Sequence, residues 1–354
     1  MKIRVLPATG LSAEHLSAWS RLLKSDATLA SPFFRPEFTQ AVAAVRGGIE
    51  VAIWEQSGEP VGFLPFQRSG RQVGLPVASP KNDFQGAIAR ADVAWSPQEV
   101  VRAAGLRAFR FDHLVATQAA FAPFQFGFAE SPYIDVSQGY EHYIKSRSKS
   151  FRKHIKRSER KASDFGEIRF EMNPADDGAF RKLVEWKIDQ CRRTHIPCSF
   201  AREWSVKLIE HILAHPTEGF SGLLLSLYIG DRLAAVQFAI RSGNVLHEWI
   251  SAYNREMAEC SPGLILDNRF TQQANSLGIA RLDLGKGPEP YKRWHASGFD
   301  QVAEGVVHAR PLDGPLYRAL YRTKQCLRST PLRHPVRRVR RWMLSTSIAL
   351  GFNE

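Results

Sequence analysis

Between Leu223 and Leu284 the apolar pattern changes period twice, and this restricts the possible folds more than any other stretch of the chain. Residues 223–229 and 233–240 are β-rich runs joined by Gly230-Asp231, a tight-turn signal that predicts an antiparallel hairpin, and residues 245–253 predict a third strand. The spacing then turns helical. Leu266, Phe270, Ala274 and Leu277 form one apolar face behind Pro262, with Ser261 as the expected N-cap and proline at the first helical position. A strand over 280–284, the Gly285-Lys286-Gly287 turn, a short helix over 291–295 and a last strand over 304–308 complete the unit.

The first half has the same mixed character. A strand-like IRVLP precedes helical stretches over 12–24 and 35–46, and short strands are predicted over 50–54, 60–66 and 71–75, separated by SGEP and RSGR. Further strands are expected over 83–88, 109–114 and 133–136, around a helix at 96–104. One long basic helix is expected over 139–163, with Ile144, Phe151, Ile155 and Ala162 as its narrow apolar stripe. A strand over 167–172 and two helices, from 175 and over 203–214, lead into the hairpin. The fold class expected is α+β, with mixed, mostly antiparallel sheets flanked by helices.

At 354 residues, 44% hydrophobic and 23% charged, the chain has the composition of a globular protein and the length of two domains. No apolar run reaches the ~18 residues of a membrane span, and MKIRVLPATG does not read as a signal peptide, so a cytoplasmic protein is expected. Cys191, Cys198, Cys260 and Cys326 suit neither a disulfide framework nor a zinc site; they are expected to be reduced and mostly buried, and no metal site is expected. The net charge of +13 is concentrated: residues 145–161 carry +8 and residues 311–354 carry +7, leaving the body near neutral. The expected division is 1–138, 139–310 and a basic amphipathic helical tail over 311–354.

A helix opening on Ser-Pro-Gly after a central strand is a ready anion cradle, because its first N–H groups are free. The run SPFFRPEF, the YIDV segment leading into KSRSKSFRKHIKR, the AYN and SPG elements around residues 252–263, and DLGKGPEPYKRWH together resemble the CelD-like branch of the GNAT acyl-CoA N-acyltransferases, over roughly residues 30–308. The resemblance implies tandem GNAT-like domains, similar in plan to Fem-type aminoacyl transferases. It further implies acetyl-CoA or another acyl-CoA as co-substrate, bound beyond Tyr253 with its pyrophosphate at Pro262, and polysaccharide or cell-envelope metabolism as the setting. The chain departs from the usual Gln/Arg-x-x-Gly-x-Gly/Ala loop in having only Ser261-Pro262-Gly263. An aminoacyl-tRNA donor, or a non-catalytic binding module, therefore stays an alternative.

Direct attack of an amine on a thioester needs a base and an oxyanion donor, and no metal. Glu248 is the first candidate base. His247 lies beside it on the opposite face of the strand, so only one of the two can point into a cleft. Asp283 and Tyr291 are further catalytic candidates, Tyr291 as the acid for the leaving thiolate. Tyr253, Asn254, Ser261, Gly263, Leu264 and Lys292 are expected at the cofactor, and Asn82, Asp83, Phe84, His247 and Trp249 at a small-molecule or saccharide acceptor. The basic helix suits phosphate in any form, with tRNA ranked below a small phosphate-bearing ligand since aromatics do not interleave with its cations. The tail, with Leu316, Leu320, Leu327, Val336, Val339, Trp342 and Met343 among arginines, suits peripheral contact with an anionic membrane.

Overall fold

The computed structural model describes residues 1–310 apart from 71, 175, 176, 196, 288 and 289. The expected tail helix lies outside the described residues. In chain order the elements are β1 (Lys2–Pro7), α1 (Ala13–Ser25), α2 (Pro36–Val45), β2 (Ile49–Gln56), β3 (Glu59–Ser69), β4 (Val73–Leu75), β5 (Ile88–Ala89), α3 (Pro97–Ala103), β6 (Ala108–Val115) and β7 (Gln125–Asp135). The chain continues with α4 (Tyr140–Ser146), α5 (Lys149–Ser163), β8 (Ile168–Met172), α6 (Gly178–Thr194), α7 (Glu203–Ala214), β9 (Phe220–Ile229), β10 (Arg232–Ser242), β11 (Val245–Tyr253), α8 (Pro262–Ala274), β12 (Arg281–Asp283), α9 (Pro290–His295) and β13 (Gly298–His308). Among the described residues no helix is long and apolar enough to cross a membrane.

One plan is used twice. A strand, two helices and an antiparallel hairpin lead to a short parallel pairing across a helix: β4 with β6 around α3, and β11 with β12 around α8. The pairings between these are antiparallel, and the order is β1-β2-β3-β4-β6-β13-β7-β12-β11-β10-β9-β8, with β5 on β3. The ends are exchanged. β13, the last described strand, lies between β6 and β7 of the first half, while β7 pairs with β12 of the second. The core follows the same logic: Phe33, Phe38 and Phe63 of the first half share one apolar cluster with Phe200, Leu208, Phe238 and Ile250 of the second.

Three expectations change on contact with the structure. The basic helix expected over 139–163 is broken between α4 and α5, because Arg147 is extended and Ser148 accepts the Phe151 N–H at 3.1 Å as the N-cap of α5. The strand expected over 83–88 shrinks to β5. Asn82 Oδ1 takes the Phe84 N–H at 3.1 Å and the Gln85 side chain binds the backbone of Asp112 and His113, so side chains supply part of what a ladder would, beside a single backbone bridge from Gln85 to Leu114. Ser261, which follows a short 3-10 turn over Arg255–Cys260, is in the left-handed region (φ 52°) instead of the extended conformation usual for an N-cap, and it makes no side-chain cap bond to α8. Of the cysteines, Cys260 is buried while Cys191 and Cys198 are half-buried.

Candidate active site

β11 and β12 stay paired only from Val245↔Arg281 to His247↔Asp283, where β12 ends. Beyond that pair β11 runs on to Tyr253 with β10 alone at its side, so backbone groups on its outer edge face an opening wedge. A bulge marks the same place: Ala239 faces Glu248 and Phe238 faces Ile250, leaving Trp249 as the extra residue. A bulge re-aims the side chains of its strand. Alternation puts Glu248 on the α8 side of the sheet and His247 and Trp249 on the other, and the bulge turns Ile250 to the Trp249 face.

The wedge opens into a cleft of about 290 Å³ lined by the end of β11, the start of α8, and Tyr291, Trp294 and His295 of α9, with His154 of α5 at its edge. Pro262 has no N–H to offer and the Ile265 N–H bonds to Ser261 O at 3.3 Å, which leaves the Gly263 and Leu264 N–H groups as the donors of the first turn. A Cβ at Gly263 would meet nothing within 4 Å, so this turn is open to a ligand.

Two carboxyl groups lie close together here, Asp267 in the cleft lining and Glu248 buried near enough for its charge to act on Asp267. Glu248 retains some exposure as a residue, yet its Oε1 is closed to solvent and has no hydrogen-bond partner. Burial pushes its carboxyl up to about 7 against the opposing pull of the Gln237 hydrogen bond and the His247 and Lys292 charges. Asp267 of α8 lines the cleft, and burial, followed by the charge of Glu248, raises it well above the carboxylate range. His295 is held neutral, since burial lowers its imidazole to about 3, with Arg147 and His154 contributing. Tyr143, whose hydroxyl donates to His295 O at 3.0 Å, is raised by the same desolvation.

On the opposite face of β11, His247 is buried, its Nε2 2.9 Å from Asp83 Oδ2 and its ring edge-on to Phe33 and Phe84. Asp83 also lies 4.0 Å from His113 Nε2, and a Cβ at Gly285 would sit 3.0 Å from Asp83 Oδ2. Glycine therefore lets the 285–287 turn close over the carboxylate. Trp249 Nε1 donates to Lys81 O at 2.7 Å. The ammonium of Lys81 lies 3.8 Å from the Phe200 ring centroid, and burial lowers it to about 8.

The candidate residues thus fall into groups. Tyr253, Ser261, Gly263, Leu264 and Tyr291 border one cleft, and Glu248 is buried close to Asp267 of its lining. Asp83, Phe84, His247 and Trp249 meet behind it, whereas the Asn82 side chain is spent on Val77 O and the Phe84 N–H. Asp283 does not stand free as a base, because it is buried against Arg281 Nε at 2.7 Å. The Asn254 side chain caps Glu256 N at 3.1 Å instead of facing a cofactor, and Lys292 Nζ donates to Gly285 O at 3.2 Å.

A strand pair splayed beside an anion-ready helix and a buried acid is matched by sequence as well as shape: the family model of the acetyltransferase (GNAT) domain matches residues 149–293. The match runs from α5 into α9. No curated protein matches the chain by sequence. Among solved structures, the chain is similar to the C-terminal domain of a protein described as a lysylphosphatidylglycerol synthetase from Agrobacterium fabrum, at 12% identity and TM-score 0.56 over 89% of this chain and 96% of that one. It is similar to FemX (10%, TM-score 0.55, 90% and 99%) and to a tandem GNAT protein from the clavulanic acid biosynthesis pathway (10%, TM-score 0.53, 88% and 99%). At these identities the likeness is one of fold, and the fold is the tandem GNAT fold.

Sequence reasoning missed several residues of this cleft: Asp267, His154, Trp294 and His295. Asp267 did leave a signal, a carboxylate one position from Leu266 and three from Phe270 in the buried stripe of α8. The others depend on α5 and α9 meeting across more than a hundred residues of chain.

Proposed function

We propose that the protein transfers an acyl group from acyl-coenzyme A to a small amine or hydroxyl acceptor, with Glu248 as the general base. The observation that carries this reading is the unpartnered Glu248 Oε1 at the floor of the β11/β12 splay, beneath the open first turn of α8. A carboxyl raised to about 7 is an effective base at neutral pH, where its affinity for a proton and its ionised fraction are both substantial. In the step proposed, Glu248 takes the acceptor proton as the acceptor bonds to the thioester carbonyl carbon. Outward N–H groups of β11 hold the oxyanion, and the carbon–sulfur bond breaks with a proton from Tyr291 going to the thiolate.

The resemblance to the CelD-like branch supports a saccharide or other cell-envelope acceptor and a cytoplasmic site of action, with the basic tail touching the membrane. A second reading, an aminoacyl-tRNA donor, draws support from the fold shared with FemX and from the cations of α5. The test is release of free thiol from acetyl-CoA with hydroxylamine as a surrogate acceptor. Wild type is expected to exceed the buffer rate and Glu248→Gln to fall back to it; no enhancement by wild type would favour the tRNA donor or a non-catalytic role.

A further inference from the structure

Coenzyme A is mostly handle: an adenosine with three phosphates at one end of a pantetheine arm. If the thioester lies at Glu248, that anionic end emerges past the first turn of α8, which has only the Gly263 and Leu264 N–H groups to give it. Two backbone donors leave most of the phosphate charge to be met by side chains.

The side chains that can meet it lie on α5. His154 lines the cleft. At 100° per residue Arg157 and Lys161 lie within about 60° of His154 on the helix circumference, so the three form one stripe. Lys161 shows where the stripe looks, because its Nζ lies 3.4 Å from Glu259 O and 3.8 Å from Glu259 Oε2, in the turn just before α8. Arg157 stands between His154 and Lys161 along the helix and is exposed.

Aromatic surface gathers at the same mouth. Of the eight large hydrophobic side chains exposed among the described residues, Tyr253, Tyr291 and Trp294 all line this one cleft, Trp294 at 55% exposure. The Trp294 indole is braced by the His154 ring at 6.0 Å and 76°. Deeper in, His295 is 2% exposed with an unpartnered Nε2, a hydrogen-bonding group suited to an amide of the pantetheine arm.

We infer that the mouth of the cleft is a nucleotide platform, with Trp294 stacking on the adenine of coenzyme A and His154 and Arg157 of α5 holding its phosphates. The inference rests on the acyl-CoA reading above. It assigns to a helix that precedes the domain's first strand the anion binding that the shortened Ser-Pro-Gly loop lacks.

Calorimetric titration of the full chain with CoA and with 4′-phosphopantetheine tests it, on wild type, Trp294→Ala, Trp294→Phe and Arg157→Ala. Trp294→Ala is expected to weaken CoA about tenfold, as loss of one stacked base does, while 4′-phosphopantetheine is unaffected and Trp294→Phe restores most of the affinity. Arg157→Ala is expected to weaken CoA and flatten its salt dependence. CoA affinities unchanged in Trp294→Ala and Arg157→Ala would overturn the platform while leaving the acyl-CoA reading in place. No CoA binding by wild type would remove both, and tRNA binding lost in Arg157→Ala with CoA binding kept would assign the stripe to nucleic acid.

Discussion

Glu248, the proposed base, and its neighbour Asp267 are carboxyls whose burial costs stability. Because burial raises both carboxyls, the folded protein holds protons that the unfolded chain releases, so stability falls as pH rises. For Glu248 this contribution is complete below an unfolded carboxyl value of about 4.3 and is lost as pH rises through about 7. Asp267→Asn removes one such group; thermal melts are expected to show a gain in Tm at pH 9 that is small or absent at pH 4. Catalysis runs the opposite way, since the base works ionised: kcat/KM should climb through about pH 7 and level off. Glu248→Gln should lower kcat by about 10²–10⁴ and abolish that limb while CoA affinity is kept. Glu248 was legible because it sits mid-strand next to a predicted cleft. Asp283, a further candidate in the sequence, is buried and paired with Arg281, two residues away on the same strand face, a pairing the sequence alone does not display.

At the scale of elements, apolar spacing was a sound guide where each element packs by its own stripe. The hairpin of β9 and β10, β11, α8 and the two helices α6 and α7 follow the expected pattern, because Leu266, Phe270 and Ala274 are buried by the sheet directly beside them. It failed where side chains compete with the backbone. Nothing in the period of KSRSKSFRKHIKR distinguishes one helix from two, yet Ser148 ends one and starts the next. Ser148→Ala should cost about 1 kcal/mol in unfolding free energy, as lost N-caps do, and chemical denaturation would show it as a lower midpoint with an unchanged slope. The bulge at Trp249 was likewise hidden, since β11 reads as a plain strand; its consequence is that Ile250 joins His247 and Trp249 on the face that alternation gives those two.

For the whole molecule, the decisive feature is the exchange of β7 and β13 between the halves, which joins thirteen strands into one sheet. Two domains in sequence are thus tied by a shared centre, a long-range pairing that no local pattern encodes. Gly305 sits where β13 shifts register against both β6 and β7, and a Cβ there would overlap the Phe124 carbonyl and the Phe111 ring. Gly305→Ala is expected to destabilise by about 1–3 kcal/mol, the usual cost of overpacking. Because the strand belongs to both halves, circular dichroism and tryptophan fluorescence should report one coincident, lowered transition; separate transitions would mean the halves unfold independently.

The central claim is that the splay beside α8 holds an acyl-CoA, and titration of acetyl-CoA into wild type and Gly263→Glu tests it most directly. The new side chain has room, with nothing within 4 Å of its Cβ, so the fold should be kept while bulk and negative charge fill the anion site. Micromolar binding by wild type, lost in Gly263→Glu at an unchanged Tm, is the predicted result. Equal binding by both proteins would place the cofactor elsewhere, and no binding by either would contradict an acyl-CoA donor.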